Sequence, residues 1–175
     1  MDLAVLLNQL DREGAELALA SCCASRAWVT KMLELRPFAS SDAVLLAAAE
    51  IWANLSRDDM LEAFAGHPQI GEDLPALRER FAMTASWSSE EQAGVTRASD
   101  AILEDLRRAN LEYRDRFGYI FIVCATGKSA AEMLAIMRAR LPNDPEHELA
   151  VAAAEQAKIT RLRLRKLFSP SKERP

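Results

Sequence analysis

Apolar and polar positions follow a helical period along most of this chain. Leu3, Leu6, Leu7 and Leu10 recur at spacings of three and four, which predicts a short first helix interrupted by Gly14. A second apolar stretch covers residues 15–20. A third segment, residues 26–35, stops before Arg36-Pro37-Phe38, because the residue preceding a proline is pushed out of the helical region. Ser40 and Ser41 are placed to cap a helix over residues 42–55, whose first turn carries Asp42 as the helix dipole prefers. Ser56 with Asp59 restarts a helix to about residue 64, and Gly66 offers it a left-handed stop.

Residues 67–82 break the pattern. They hold two prolines, Gly71 and a cluster of Arg and Glu, and read as a loop with at most one short helix near Leu77. Ser88-x-x-Glu91 and Ser89-x-x-Gln92 both fit a capping box, opening a helix to about residue 115 that Phe117-Gly118 ends. Tyr119 to Val123 is the one β-branched and aromatic run. It reads as a single extended segment, and one strand makes no sheet. Ser129-x-x-Glu132 caps a helix to about residue 141, and Asn143-Asp144-Pro145 starts the last one, residues 146–167. The sum is an all-α, single-domain bundle of about eight helices over residues 1–168, followed by a polar tail at 169–175.

Composition narrows the function. The chain has 175 residues, 50% apolar and 27% charged, with only 6 Gly and 7 Pro, which fits a helical globular domain better than a turn-rich β fold. A formal net charge of -4 argues against a dedicated nucleic-acid binder. Cys22, Cys23 and Cys124 make no CxxC or Cys/His metal spacing and read as free thiols in a reducing compartment. No apolar run reaches membrane-spanning length and Met1-Asp2-Leu3 carries no basic n-region, so a cytoplasmic location is expected.

Several motifs invite chemistry. Ala125-Thr126-Gly127-Lys128-Ser129 resembles the end of a phosphate loop, but Ile122 stands where the motif needs its first glycine. Lys158, Arg161, Arg163, Arg165 and Lys166 complement the dipole at the end of the last helix. Arg163, between Leu162 and Leu164, lies on a different face from Arg161 and Arg165, and an inward arginine needs an anionic partner. Of the two histidines, His147 sits among Glu146 and Glu148 at a helix start and reads as a surface residue. His67 precedes Pro68, which restricts it, so it is either a rigid structural residue or a proton-transfer group. Ser88, Glu91 and Gln92 are either a cap or a helix N-terminus that binds a polar ligand.

Taken in order, His67-Pro68, Ser88-x-x-Glu91-Gln92, Arg116-Phe117-Gly118-Tyr119-x-Phe121-Ile122-Val123-Cys124-Ala125 and Ile159-x-x-x-Arg163-Leu164 resemble 2-oxo-4-hydroxy-4-carboxy-5-ureidoimidazoline (OHCU) decarboxylases of urate degradation. Arg36-Pro37-Phe38 and Arg140-Leu141-x-Asn143 fit as well, so the likeness covers about residues 25–168. It implies an all-helical, cofactor-free carboxy-lyase, a homodimer, that makes (S)-allantoin and carbon dioxide from OHCU. Its pathway neighbours would be a urate oxidase and a hydroxyisourate hydrolase. By the same resemblance His67 and Glu91 are catalytic. Pro68, Ser88, Ser89, Glu90, Glu91, Gln92, the run Phe121, Ile122, Val123, Cys124, Ala125, and Arg163 bind substrate. No metal is implied. Gln69-Ile70, Thr126 and the turn Thr84-Ala85-Ser86-Trp87 depart from the family pattern, and the tail is not a peroxisomal Ser-Lys-Leu signal. Two other classes fit the residues without the resemblance: a non-catalytic helical interaction module, and another cofactor-free lyase or hydrolase acting on a ureide or hydantoin.

Overall fold

Short polar side chains decide where the helices begin. In the computed structural model, which describes residues 2–67, 92–126 and 128–168, Asp2 caps α1 (Leu3–Gln9) by accepting from Ala4 N–H. Asp11 caps α2 (Arg12–Cys22), Ser25 caps α3 (Arg26–Glu34) and Ser40 caps α4 (Ser41–Ala53). Ser56 and Asp59 form a reciprocal capping box on α5 (Arg57–Ala65). Each such cap is worth about 1 kcal/mol. Then come α6 (Gln92–Phe117), α7 (Ala130–Arg140), opened by the Ser129–Glu132 capping box, and α8 (Pro145–Phe168), with Asp144 accepting from the N–H groups of Glu146 and His147. Among the described residues there is no strand, and no helix is long and apolar enough to cross a membrane.

Two glycines act differently from their sequence expectation. Gly14 does not interrupt a helix. The break falls at Leu10–Asp11, and Gly14 lies inside α2, where its N–H donates to the Asp11 cap at 2.8 Å. The carboxylate of Asp11 ends one helix by starting another, which the apolar spacing alone did not reveal. Gly66 is not left-handed either: its φ is -75°. A side chain there would bring its Cβ within 2.3 Å of the Ala24 Cβ, so Gly66 is required for close approach rather than for backbone freedom. Among the described residues the left-handed glycine is Gly118, at φ 79°, which turns the chain out of α6.

These elements fall into two compact units. The first holds α1–α5 and α8 from Ala153 onward. Its core is built from Leu3, Leu7, Leu19, Trp28, Met32, Val44 and Phe64. Both buried indoles are satisfied: Trp28 Nε1 donates to the Ala48 carbonyl at 3.1 Å and Trp52 Nε1 to the Ala153 carbonyl at 3.0 Å. Arg36-Pro37-Phe38 has a structural role in this unit. The Arg36 guanidinium donates to the Leu10 carbonyl at the end of α1, and the Phe38 backbone exchanges two hydrogen bonds with the Asn8 amide, at 2.8 and 2.9 Å.

The second unit holds α6, α7, the run between them and α8 as far as Ala152. Residues 119–125 are non-helical, and within them the run Tyr119 to Val123, expected to be extended, forms no strand; Phe121, Ile122 and Val123 are buried. Tyr113 anchors the cluster, with ring centroids 4.6 Å from Phe117, 5.2 Å from Phe121 and 5.9 Å from Tyr119. Beside it lies a buried ion pair. Glu148, with no exposed surface, accepts from Arg140 Nε at 2.8 Å and Nη2 at 2.5 Å, and from the Tyr113 hydroxyl. Its other oxygen accepts from Asn143 Nδ2 at 2.7 Å. The remaining fork of Arg140 donates to the Ile122 carbonyl at 2.8 Å, with the guanidinium 4.6 Å from the Phe121 ring centroid. Burial and the bond to Glu148 both hold Tyr113 protonated, pushing its pKa far up. The motif Arg140-Leu141-x-Asn143 is therefore a brace for the non-helical run.

Candidate functional site

His67 leaves the end of α5 with its N–H donating to the Phe64 carbonyl at 3.1 Å, and the missing side chain at Gly66 lets that end pack on Ala24. Across from it, Gln156, Thr160 and Arg163 of α8 follow at i, i+4 and i+7 and so share a face. Gln156 has no exposed surface and Thr160 is 5% exposed. His67 Nε2 lies 2.5 Å from Gln156 Oε1, and Gln156 Nε2 donates to Thr160 Oγ1 at 3.2 Å. On the other side of the imidazole, Arg163 Nη2 lies 3.5 Å from Nδ1, while Nη1 reaches the Ser21 and Cys22 carbonyls at 3.5 and 3.4 Å, at the end of α2.

Among the described residues Arg163 thus meets the negative end of a helix dipole rather than a carboxylate. It lines an open concavity of about 550 Å³ with Ala20, Ser21, Gly66 and Lys166. Arg161 is exposed and borders a different groove, of about 440 Å³, beside Trp52 of α4. Arg163 is therefore the arginine brought to His67.

Burial pushes the His67 pKa below its ordinary 6.5, Arg163 pushes it the same way, and the bond to Gln156 opposes both. The folded chain prefers a neutral imidazole. In acid the unfolded chain then binds a proton that the folded chain refuses, so stability should be full above about pH 6.5 and decline as the pH falls below it. Denaturant titrations across that range should lose this component in a His67→Gln chain, and an unchanged slope would show that His67 does not carry it. Burial also pushes the Cys22 thiol up to about 11 and raises Cys23, so neither is a thiolate nucleophile near neutral pH.

Other expected site residues are placed less completely. Pro68, Ser88, Ser89, Glu90 and Glu91 lie outside the described residues, as does the Gln92 side chain; the Gln92 backbone opens α6. Phe121 to Ala125 belongs to the second unit. There the carbonyls of Ile122, Cys124 and Ala125 already accept from Arg140, Lys128 Nζ and Lys128 N–H, at 2.8, 2.7 and 3.1 Å. Lys128 is turned back on the chain and Ser129 is used in a cap, so the phosphate-loop likeness has a structural explanation. His147 is exposed, as expected. Sequence reasoning missed Gln156 and Thr160. Their i, i+4 spacing with Arg163 was the available signal, but a polar pair in a long helix more often faces water.

A family profile for OHCU decarboxylase matches residues 8–165. The chain is 41% identical over 150 residues to the uric acid degradation bifunctional protein TTL of Arabidopsis thaliana, which covers 85% of this chain and 45% of that longer protein. It is 32% identical over 167 residues to a 2-oxo-4-hydroxy-4-carboxy-5-ureidoimidazoline decarboxylase of Halalkalicoccus jeotgali, covering 94% of this chain and 90% of that one. A crystal structure of OHCU decarboxylase in the presence of (S)-allantoin superposes with a TM-score of 0.70 at 35% identity, over 91% of this chain and 99% of the other.

Proposed function

The chain belongs to the OHCU decarboxylase family, and from that premise we propose that it removes carbon dioxide from OHCU to give (S)-allantoin in urate degradation, with His67 as the proton-transfer residue. The observation that carries the reading of the site is a half-buried imidazole held between a buried amide and a guanidinium that lines an open concavity.

The chemistry asks little beyond orientation and one proton. The bond from the ring carbon to the carboxylate breaks, carbon dioxide leaves, and the electron pair passes into the adjoining ring C=N, whose nitrogen takes up a proton from water. The ring hydroxyl then becomes a carbonyl as a proton reaches one face of the ureido-bearing carbon. The substrate carries its own electron sink, so the reaction needs no cofactor to supply one. A neutral imidazole accepts the hydroxyl proton and returns it to carbon, and histidine suits both directions near neutral pH. Arg163 offers a planar fork to the carboxylate or a ring oxygen. Glu91 would orient His67 and accept from ureido N–H groups. Gln92, with a donor and an acceptor, matches a ureido group. Pro68, Ser88, Ser89, Glu90 and the amide groups of residues 121–125 complete the contact set, as family membership suggests. The same reading takes the enzyme to be a cytoplasmic homodimer acting after a urate oxidase and a hydroxyisourate hydrolase. Its three free thiols are consistent with a reducing compartment.

The test is circular dichroism during turnover. OHCU is generated in the cuvette by a urate oxidase and a hydroxyisourate hydrolase, and the protein is added. Faster loss of OHCU with a persistent (S)-allantoin signal is expected. A trace matching the protein-free control, from a folded sample, would overturn the assignment. In the same assay Arg163→Lys should lower kcat/KM by roughly tenfold or more, because an ammonium cannot replace a planar fork. Arg161→Lys should stay close to the parent, and the opposite order would move the anion contact to Arg161.

A further inference from the structure

His67 meets two partners of different kinds. Gln156 offers an amide, which either donates or accepts, whereas Arg163 only donates. The nitrogen facing Arg163 must therefore hold a lone pair. Nδ1 is the acceptor, Nε2 carries the hydrogen, and Gln156 must present its oxygen to it. The neighbouring bond agrees: with its oxygen committed to His67, Gln156 turns its NH₂ to Thr160 Oγ1 at 3.2 Å. Gln156 is fully buried, so no water competes for that orientation.

We propose that Gln156, held by Thr160, is a positioning residue that fixes the hydrogen of His67 on Nε2 and reserves Nδ1, the nitrogen turned to Arg163, for proton exchange with substrate. This rests on the reading of His67 as the proton-transfer group. A glutamine is suited to the task because it is neutral. A carboxylate at the same place would also hold the hydrogen on Nε2, but it would favour the imidazolium, and a protonated His67 cannot accept a proton. The other described groups around the cluster do not substitute for it. Arg163 of α8 repels a proton on the ring, Cys22 and Cys23 at the end of α2 are kept as thiols by burial, and Glu62 of α5 accepts from the Arg26 backbone at 2.9 Å and from its guanidinium.

Two readouts test this, one independent of activity. With only two histidines in the chain, His67→Gln assigns the ring signals in nitrogen-detected NMR. The parent should show the Nε2–H tautomer. Gln156→Glu should raise the His67 midpoint by about one pH unit or more and move the acid limb of kcat upward with it. Gln156→Met, near in size and uncharged, should populate both tautomers and lower kcat by roughly tenfold or more while KM changes less. An Nδ1–H tautomer in the parent, or a His67 titration unmoved in folded Gln156→Glu, would overturn the proposal. A titration that moves while the rate profile stays fixed would overturn its catalytic half, and would remove His67 from proton transfer. If the parent shows no OHCU turnover, the family-level reading fails on its own, and the tautomer measurement still decides what Gln156 does.

Discussion

A His67→Gln chain is expected to keep the parent's helicity and to decarboxylate OHCU roughly 10²–10⁴-fold more slowly, the range that a lost general acid–base group gives. The choice of glutamine matters. Its amide nitrogen reaches about as far as Nε2, so it can still donate to the oxygen of Gln156, and the buried amide is not left unsatisfied. What it removes is the titratable nitrogen facing Arg163. His67→Asn makes the complementary cut: its amide sits near the position of Nδ1 but leaves Gln156 without a donor. Both variants should be slowed to a similar degree, and the asparagine form should also be the less stable by about 1–3 kcal/mol. Circular dichroism reports both properties, turnover through allantoin and folding through the helix signal. A glutamine variant with near-parent turnover would take His67 out of the reaction.

The largest stability effect is expected at Glu148. Glu148→Gln keeps the shape of the side chain but leaves the Arg140 guanidinium buried without a counter-charge. Breaking a buried pair in this way costs about 3–5 kcal/mol, which in a chain of this length lowers Tm by roughly 6–20 °C. Arg140→Met should cost a similar amount, because it strands the Glu148 carboxylate. The double variant Arg140→Met/Glu148→Leu should recover much of the loss, since neither charge is then left alone. A Glu148→Gln melt that coincides with the parent's would show that the pair does not hold this unit. The same brace fixes the Ile122 carbonyl, so variants that survive should also bind substrate less well if the run at 121–125 reads it.

Much of the fold was legible because its signals are local. The Ser56–Asp59 and Ser129–Glu132 boxes, the Ser40 cap and the Asp144-Pro145 start each need only four residues to declare themselves, and each is found as expected. The break from helix at Tyr119 to Val123 announced itself by composition. Gly14 and Gly66 misled because a glycine's sequence context does not say what it is for. One needs its neighbours along the chain, the other a contact with Ala24, 42 positions away. The site divides in the same way. His67 and Arg163 were singled out through an ordered set of motifs; the family profile bears out the family those motifs point to, and the structure brings the two residues together. Gln156 and Thr160 were not, because what marks them is full burial and a partner on another helix, and neither can be read from residue types.

One property of α8 bears on how the protein is made. His67 is separated from Gln156 by 89 residues and from Arg163 by 96. On the ribosome, at about 5–20 residues per second, α1–α5 therefore wait on the order of 5–20 s for the segment that completes their unit. During that interval the Trp52 indole has no Ala153 carbonyl to meet, and His67 has neither of its partners. A unit closed by its last helix is a high-contact-order assembly, slow to nucleate and exposed to off-pathway association while it waits. It also cannot bring its imidazole and guanidinium together before synthesis of α8 is nearly finished, so truncated products should be inert as well as unstable.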